Sequence, residues 1–207
     1  RVRIAIRHDV DADVVAAVNP AEIERQYNAP ATWCILHTAR YYGRFEKGLF
    51  LRHECMGHVY RRIQDLGHEI CLHTDPLWIY QEYGIDGAEA VCQEIQWLRS
   101  LGIRVTGTVA HNSKPVYGAW NYEIFKSRFD PESDIESAPD HVVHRGRFAP
   151  LRVLDERELG LVYEGNEILL RDDISLEYGA TRKVSQWTWR AHRRRITERP
   201  ERGVSPF

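Results

Sequence analysis

The sequence predicts an α/β fold with parallel strands, and two observations support this prediction. Strand-like and helix-like segments alternate along the first half of the chain, and parallel strands need crossover helices of this kind. Each of these strands also ends at an aspartate or a histidine, and the carboxyl ends of parallel strands share one face. We predict a distorted (β/α) barrel with fewer than eight regular strands, and an open doubly wound sheet is the alternative.

The first two predicted strands are separated by one helix. Apolar and polar residues alternate over 2–8, which predicts a β-strand. Pro20 suits the first position of a helix, and Asn19-Pro20 opens the helix that we predict over 21–28. The β-branched and apolar run over 31–36 then predicts strand two, which ends at His37.

The third strand follows a helix that a glycine ends. An aromatic loop leads from strand two to a helix predicted over 54–66. Gly67 ends this helix, because glycine readily adopts the left-handed conformation found at helix carboxyl ends. The short apolar run over 69–72 predicts strand three, which ends at His73.

The fourth strand has the same arrangement. Asp86 is the predicted N-cap of a helix over 87–101, whose apolar residues recur at helical spacing. Gly102 ends this helix. The β-rich run over 104–110 predicts strand four, which ends at His111.

Patterns in the second half of the chain are weaker. We predict a short helix, two strands and a final helix at 122–128, 158–163, 167–170 and 187–196. The segments 112–121 and 130–157 are rich in proline, glycine and aspartate, which predicts loops with short strands of unassigned position. No shift in composition divides the chain, so we predict a single domain over 1–207.

Composition excludes several classes of function. The formal net charge is only −2, so no overall positive field favours nucleic acid. No apolar run is long enough to span a membrane. The four cysteines show no C-x-x-C spacing, which favours free thiols in a reducing compartment. We expect a cytoplasmic location because no signal peptide is visible, and an upstream targeting segment is the alternative.

The strand ends predict a metal site. Asp9 and Asp11 stand two residues apart, so their carboxylates point the same way if the backbone is extended. Two such like charges need a cation or a shared proton. One divalent ion, held by one aspartate with His73 and His111, would satisfy this need and leave the other aspartate as a base. The alternative is that these aspartates cap the following loop.

Three more residues are candidates for the same site. His37 is a candidate for substrate contact, for support of the ligands, or for plain packing. Asp75 is a candidate ligand, a helix cap, or the hydrogen-bond partner of His73. Trp78 and the aromatic loop that follows strand two are candidates for the wall of a sugar site, with packing as the alternative.

Two of these segments resemble motifs of a known family. Arg7-His8-Asp9-Val10-Asp11 and Gly67-His68-Glu69-Ile70-Cys71-Leu72-His73-Thr74 resemble the first two motifs of the polysaccharide deacetylase (NodB-homology) family. The similarity is greatest to the branch that has H-D-V-D as its first motif. Val109-Ala110-His111-Asn112 resembles the strand-end histidine of that branch. The resemblance covers residues 2–125.

This resemblance implies a distorted (β/α) barrel and one divalent metal, most commonly zinc, bound by an aspartate and two histidines. The implied activity is removal of an N- or O-acetyl group from a carbohydrate, or a related amide hydrolysis. Asp9 then corresponds to the general base, Asp11 to the metal-binding aspartate and His73 to the first histidine ligand.

The sequence departs from the family pattern in two places. The second histidine ligand would stand four residues after His73, where this chain has Leu77. We assign that role to His111, with Asp75 as the alternative. The late histidine that acts as general acid is not visible, and the candidates for it are His141, His144 and His192. A carbohydrate-binding or scaffold domain with weak catalysis is therefore one alternative function, and hydrolysis of a non-sugar cyclic amide is another.

Overall fold

A computed structural model describes residues 5–47, 49–111, 121–125, 135–138, 141–144, 147–149 and 152–165. The chain divides into two units, Ala5–Glu164 and a unit formed by Arg1–Ile4 with Gly165–Phe207. All described residues except Gly165 belong to the first unit. The single domain over 1–207 stays a prediction.

The described elements alternate between strands and helices over the first half of the chain. The strands are β1 Ile6–Val10, β2 Ala31–Leu36, β3 Gly43–Glu46, β4 Leu49–Arg52, β5 Glu69–Thr74, β6 Val105–Ala110, β7 Ile135–Ala138, β8 His141–His144, β9 Arg147–Ala149 and β10 Tyr163–Glu164. The α-helices are α1 Val18–Gln26, α2 Gly57–Asp65, α3 Pro76–Tyr83 and α4 Gly87–Ser100, and 3-10 helices span Glu54–Met56 and Asn121–Ile124.

The main sheet has five parallel strands in the order β1-β2-β5-β6-β10. The strand hairpin β3-β4 and the three-stranded sheet β7-β8-β9 are antiparallel. The parallel sheet with its crossover helices confirms the predicted α/β class. Strand order follows chain order across the described sheet, without the reversal that a doubly wound sheet has.

The two faces of the sheet have different chemistry. Trp33, Ile35, Ile70 and Leu72 belong to the main core, together with apolar residues of all four helices. The alternate residues of the same strands point to the other face. On that face Cys34 and Cys71 lie opposite each other and are fully buried, in a small apolar cluster separate from the main core. His73 lies two residues after Cys71 in β5, so it belongs to the same face, away from the main core.

The helix ends predicted at Asp86, Gly67 and Gly102 agree with the structure. The Asp86 carboxylate accepts hydrogen bonds from the backbone N–H groups of Ala88 and Glu89 at the start of α4. Gly67 and Gly102 have φ angles of 95° and 80°, which suit glycine at a helix end. These predictions are confirmed. The sequence could predict them because both signals depend only on neighbouring residues.

Other predicted elements need correction. The strand predicted over 158–163 is wrong except at Tyr163. Residues 156–160 form turns, with Gly160 at a φ of 64°, and β10 comprises only Tyr163–Glu164. The helix predicted over 122–128 is a 3-10 helix at Asn121–Ile124, and residues 126–128 lie outside the described residues. The sequence predicted neither α3 nor the β3-β4 hairpin.

Several remaining expectations concern the second half of the chain. Strands β7, β8 and β9 lie within the segment 130–157 that was predicted to be loop with unassigned short strands. The strand at 167–170 and the helix at 187–196 fall outside the described residues.

Among the helices that the structure describes, none has the length and apolar character needed to cross a bilayer.

Candidate metal centre

Asp11, His73 and His111 come together at the carboxyl ends of three strands. Asp11 follows β1, His73 is the second-to-last residue of β5, and His111 follows β6. Each offers one ligand atom, and these atoms all lie within 4.8 Å of one another. Nε2 of His73 lies 3.5 Å from Oδ1 of Asp11. The predicted set of one aspartate and two histidines therefore forms a possible metal-binding triad.

His73 is held so that one ring nitrogen remains for a ligand. Its Nδ1–H donates a hydrogen bond of 2.8 Å to the carbonyl oxygen of Val109 in the neighbouring strand. The lone pair is therefore on Nε2, the nitrogen that faces Asp11. Burial lowers the pKa of His73 despite the nearby carboxylates, which favours the neutral form that binds metals.

His111 is oriented by a buried carboxylate. Its Nδ1 donates to Oδ2 of Asp75 at 3.1 Å, which leaves Nε2 for a ligand. This hydrogen bond raises the pKa of His111. A carboxylate bonded to the distal nitrogen of a ligating histidine fixes its ring and increases its basicity. Asp75 is thus the partner of His111, not of His73 as one interpretation of the sequence had it.

No protein-family model matches this chain, and no curated protein matches it.

Asn121 completes the support of His111 and was not predicted. Its side-chain N–H groups donate to Oδ1 of Asp75 at 2.7 Å and to the carbonyl oxygen of His111 at 2.9 Å. Its Oδ1 accepts from the backbone N–H of Leu77, at the start of α3. No local sequence signal marks Asn121, because its role arises from the meeting of three separate segments.

His37 is buried next to Asp75, the hydrogen-bond partner of His111. It is 1% exposed, and its Nε2 accepts a hydrogen bond of 2.7 Å from the backbone N–H of Asp75. Nδ1 therefore carries the ring proton. Burial lowers the pKa of His37 to about 4, so the ring is neutral at pH 7. This position favours the interpretation of His37 as support for the ligands over direct substrate contact.

Asp9 forms an ion pair with Arg7, two residues earlier in β1. Nε of Arg7 lies 2.7 Å from Oδ1 and its terminal nitrogen 2.6 Å from Oδ2. Burial alone would raise the pKa of Asp9, but the hydrogen bonds from Arg7 and the positive charge of its guanidinium produce a net lowering. Asp9 is thus an ionised, oriented carboxylate with about a third of its side chain exposed (34%).

The capping role considered for these aspartates belongs to Asp13. Its Oδ1 accepts from the backbone N–H groups of Val15 and Ala16, at 2.9 and 3.1 Å. Asp9 and Asp11 face Arg7 and His73 instead.

Trp78 lies on α3, beyond the Asp75 position. It is half-buried, and its ring packs edge-on against Tyr83 with 5.5 Å between ring centroids. Substrate contact by Trp78 stays a prediction.

The Asp75 carboxylate should determine metal affinity. We expect Asp75→Asn to weaken divalent metal binding by roughly 10- to 100-fold, because His111 loses its charged partner. The measurement is a metal titration of the purified variant. The control is Asp86→Asn, which changes a carboxylate that caps α4 and makes no hydrogen bond to a triad residue, and it should leave affinity unchanged. Equal affinity in the Asp75 variant and the native protein would contradict this role.

Acid should destabilise the fold through His37. The folded pKa of about 4 lies below the unfolded value of 6.5, so between these values the unfolded chain binds the extra proton. The contribution of neutral His37 to the free energy of unfolding is therefore fully present above pH 6.5. It decreases as the pH falls toward 4, by at most about 3 kcal/mol in total. Urea unfolding at pH 7 and pH 4.5 measures this. His37→Gln should show a smaller decrease, and an equal decrease would refute the assignment.

Proposed function

We propose that this chain is a zinc-dependent hydrolase that removes an acetyl group from a carbohydrate, or cleaves a related amide. The observation that carries the proposal is the convergence of Asp11, His73 and His111 within 4.8 Å, at the strand ends that also bear the ionised carboxylate of Asp9, which is paired with Arg7. The resemblance of the H-D-V-D and G-H-E-I-C-L-H segments to polysaccharide deacetylase motifs supports the choice of substrate.

The donor set fits zinc. Two imidazole nitrogens and one carboxylate oxygen are typical of catalytic zinc sites, in which a fourth position stays open. Zinc–ligand distances of about 2.0–2.2 Å place tetrahedral ligand atoms roughly 3.4 Å apart. The separation of 3.5 Å between His73 and Asp11 is already close to this. When bound, such an ion supplies a Lewis acid that polarises an acyl oxygen and activates water.

Asp9 is the general base in this proposal. Its carboxylate is ionised and solvent-accessible, so it can take a proton from an attacking water. The two hydrogen bonds from Arg7 hold the carboxylate in one orientation. Arg7 is therefore a positioning residue for the base.

The proposal assigns no general acid. His141 and His144 belong to β8, where the structure describes the backbone only. His192 lies outside the described residues. These three histidines stay candidates for protonating the leaving group.

Two structural expectations belong to the same proposal. We propose that the parallel sheet is part of a distorted (β/α) barrel, and its sequential strand order supports this. We also propose a cytoplasmic location. The four cysteines, all within the described residues, are free thiols, which supports a reducing compartment.

Elemental analysis of the purified protein, followed by a substrate panel, tests the proposal. We expect about one zinc per chain and release of acetate from N- or O-acetylated sugar oligomers. Hydrolysis of cyclic amides alone would replace the carbohydrate substrate with a non-sugar one. Bound metal without any hydrolysis would favour a binding or scaffold domain. A chain that binds no divalent metal, even with added zinc or cobalt, would refute the proposal.

A further inference from the structure

Two of the three residues in the triad are histidines whose rings are fixed by hydrogen bonds, whereas the third, Asp11, lies on an exposed segment. The ring of His73 is anchored to the Val109 carbonyl and that of His111 to Asp75. Asp11 lies past the end of β1, with 51% of its side chain exposed, and its carboxylate faces His73 at 3.5 Å. An exposed aspartate on an irregular segment has many accessible rotamers and backbone conformations, so its position needs another source of restraint.

The hydroxyl of Tyr41 lies at the junction just before Asp11. It donates a hydrogen bond of 2.5 Å to the carbonyl oxygen of Val10, the last residue of β1. It also accepts a hydrogen bond of 2.9 Å from the backbone N–H of Leu36, the last residue of β2. One side-chain oxygen therefore ties together the carboxyl ends of the two strands.

The bond to Val10 acts directly on the ligand, because the Val10 carbonyl belongs to the peptide unit that leads into Asp11. That unit is planar, so its oxygen, the Asp11 nitrogen and the Asp11 Cα move together. Restraining the carbonyl oxygen restrains the starting point of the Asp11 side chain.

Tyr41 is itself held in place. Its carbonyl oxygen accepts a hydrogen bond of 3.1 Å from Nδ1 of His53, just after β4. Turns around it are closed by hydrogen bonds from Ala39 N–H to Leu36 and from Tyr42 N–H to Ala39. The hydroxyl is thus presented by a fixed backbone.

We propose that Tyr41 is a positioning residue that sets the place of the Asp11 carboxylate in the metal centre. The inference rests on the proposed metal function and adds to it the anchor of the third ligand. It predicts that metal affinity depends on a hydroxyl group that does not touch the metal.

The test compares two adjacent tyrosines. Tyr41→Phe removes the hydroxyl that binds Val10, and we expect it to raise the zinc dissociation constant about tenfold or more. The bound cobalt(II) ion should also show an altered visible absorption spectrum, since that spectrum reports ligand geometry. Tyr42→Phe is the matched control: Tyr42 is fully buried, and its hydroxyl donates to Glu94 at 2.9 Å. This control should leave the zinc affinity and the cobalt spectrum unchanged, even if it lowers stability.

A double-mutant cycle shows whether Tyr41 acts through Asp11. Tyr41→Phe should weaken metal binding in the native background and have a smaller effect in an Asp11→Asn background, which keeps a weak oxygen ligand so that binding can still be measured. Native affinity and spectrum in Tyr41→Phe would overturn the inference, and so would equal losses in the Tyr41 and Tyr42 variants. An unfolded Tyr41→Phe chain would also overturn it, by assigning the hydroxyl to folding. Failure of the native protein to bind metal would instead refute the proposed function.

Discussion

Replacing His111 with alanine is expected to reduce metal content from about one divalent ion per chain to near zero. The change leaves only Asp11 and His73, and two protein ligands rarely hold a zinc ion. It also leaves the buried carboxylate of Asp75 with its amide partner Asn121, so the chain should remain folded. Elemental analysis after dialysis, together with circular dichroism, measures both properties.

His8→Ala is the matched control for this experiment. His8 is exposed to a similar degree as His111, with 34% of its side chain accessible against 27%, and it also pairs with a carboxylate, that of Glu24 at 2.6 Å. It packs on Trp33 instead of facing the triad. Metal content should be retained in His8→Ala. Full retention in His111→Ala would exclude His111 as a ligand and restore Asp75 as the alternative.

Asp9→Asn should abolish most of the turnover while metal binding persists. The amide keeps the shape of the carboxylate but cannot accept a proton from water at neutral pH. General base catalysis contributes roughly 10²–10⁴-fold to a rate, so we expect kcat to decrease by about that factor on whichever substrate the panel identifies. The measurement is steady-state kinetics on protein of known zinc content.

Asp13→Asn is the control for the base. Asp13 stands on the same segment but caps the next turn, so its amide variant should keep near-native turnover. Unchanged kcat in Asp9→Asn would remove Asp9 from the mechanism. Loss of metal in that variant would show that Asp9 is needed for the site and would leave the base unassigned.

The proximity of Asp11, His73 and His111 could be predicted because its signal is local to each strand end. A strand-like run followed by aspartate or histidine marks Asp11, His73 and His111 individually, and parallel topology then brings them to one edge. The helix boundaries at Asp86, Gly67 and Gly102 were predicted for a similar reason, since caps and left-handed glycines depend on the nearest residues.

The partner of Asp75 could not be predicted, because it depends on strand register. Thr74 lies opposite Ala110, so the next residues, Asp75 and His111, come level with each other. His73 lies opposite Val109, whose carbonyl it uses. An irregularity earlier in this strand pair shifts the register, and neither the shift nor its size is visible in the sequence.

The missed elements have a comparable cause. Helix α3 is short, and its first turn packs against α4 so closely that a β-carbon on Gly87 would lie about 2.0 Å from the Pro76 carbonyl oxygen. The β3-β4 hairpin depends on aromatic contacts, including Phe45 stacked on Tyr83 of α3 with 3.6 Å between centroids. Both are stabilised by residues distant in sequence, which a local pattern does not contain.

On the proposed metal function, the sequential order of the strands determines when during folding zinc could bind. Asp11, His73 and His111 each follow or end a different strand, and β2 lies between the first two of these strands. A nascent or partly unfolded chain therefore presents isolated ligands of low affinity. Zinc would then be captured only after β1, β2, β5 and β6 have paired, and its binding energy would add to the stability of the completed sheet alone. The cell's free zinc concentration would thereby influence how much of this protein survives proteolysis.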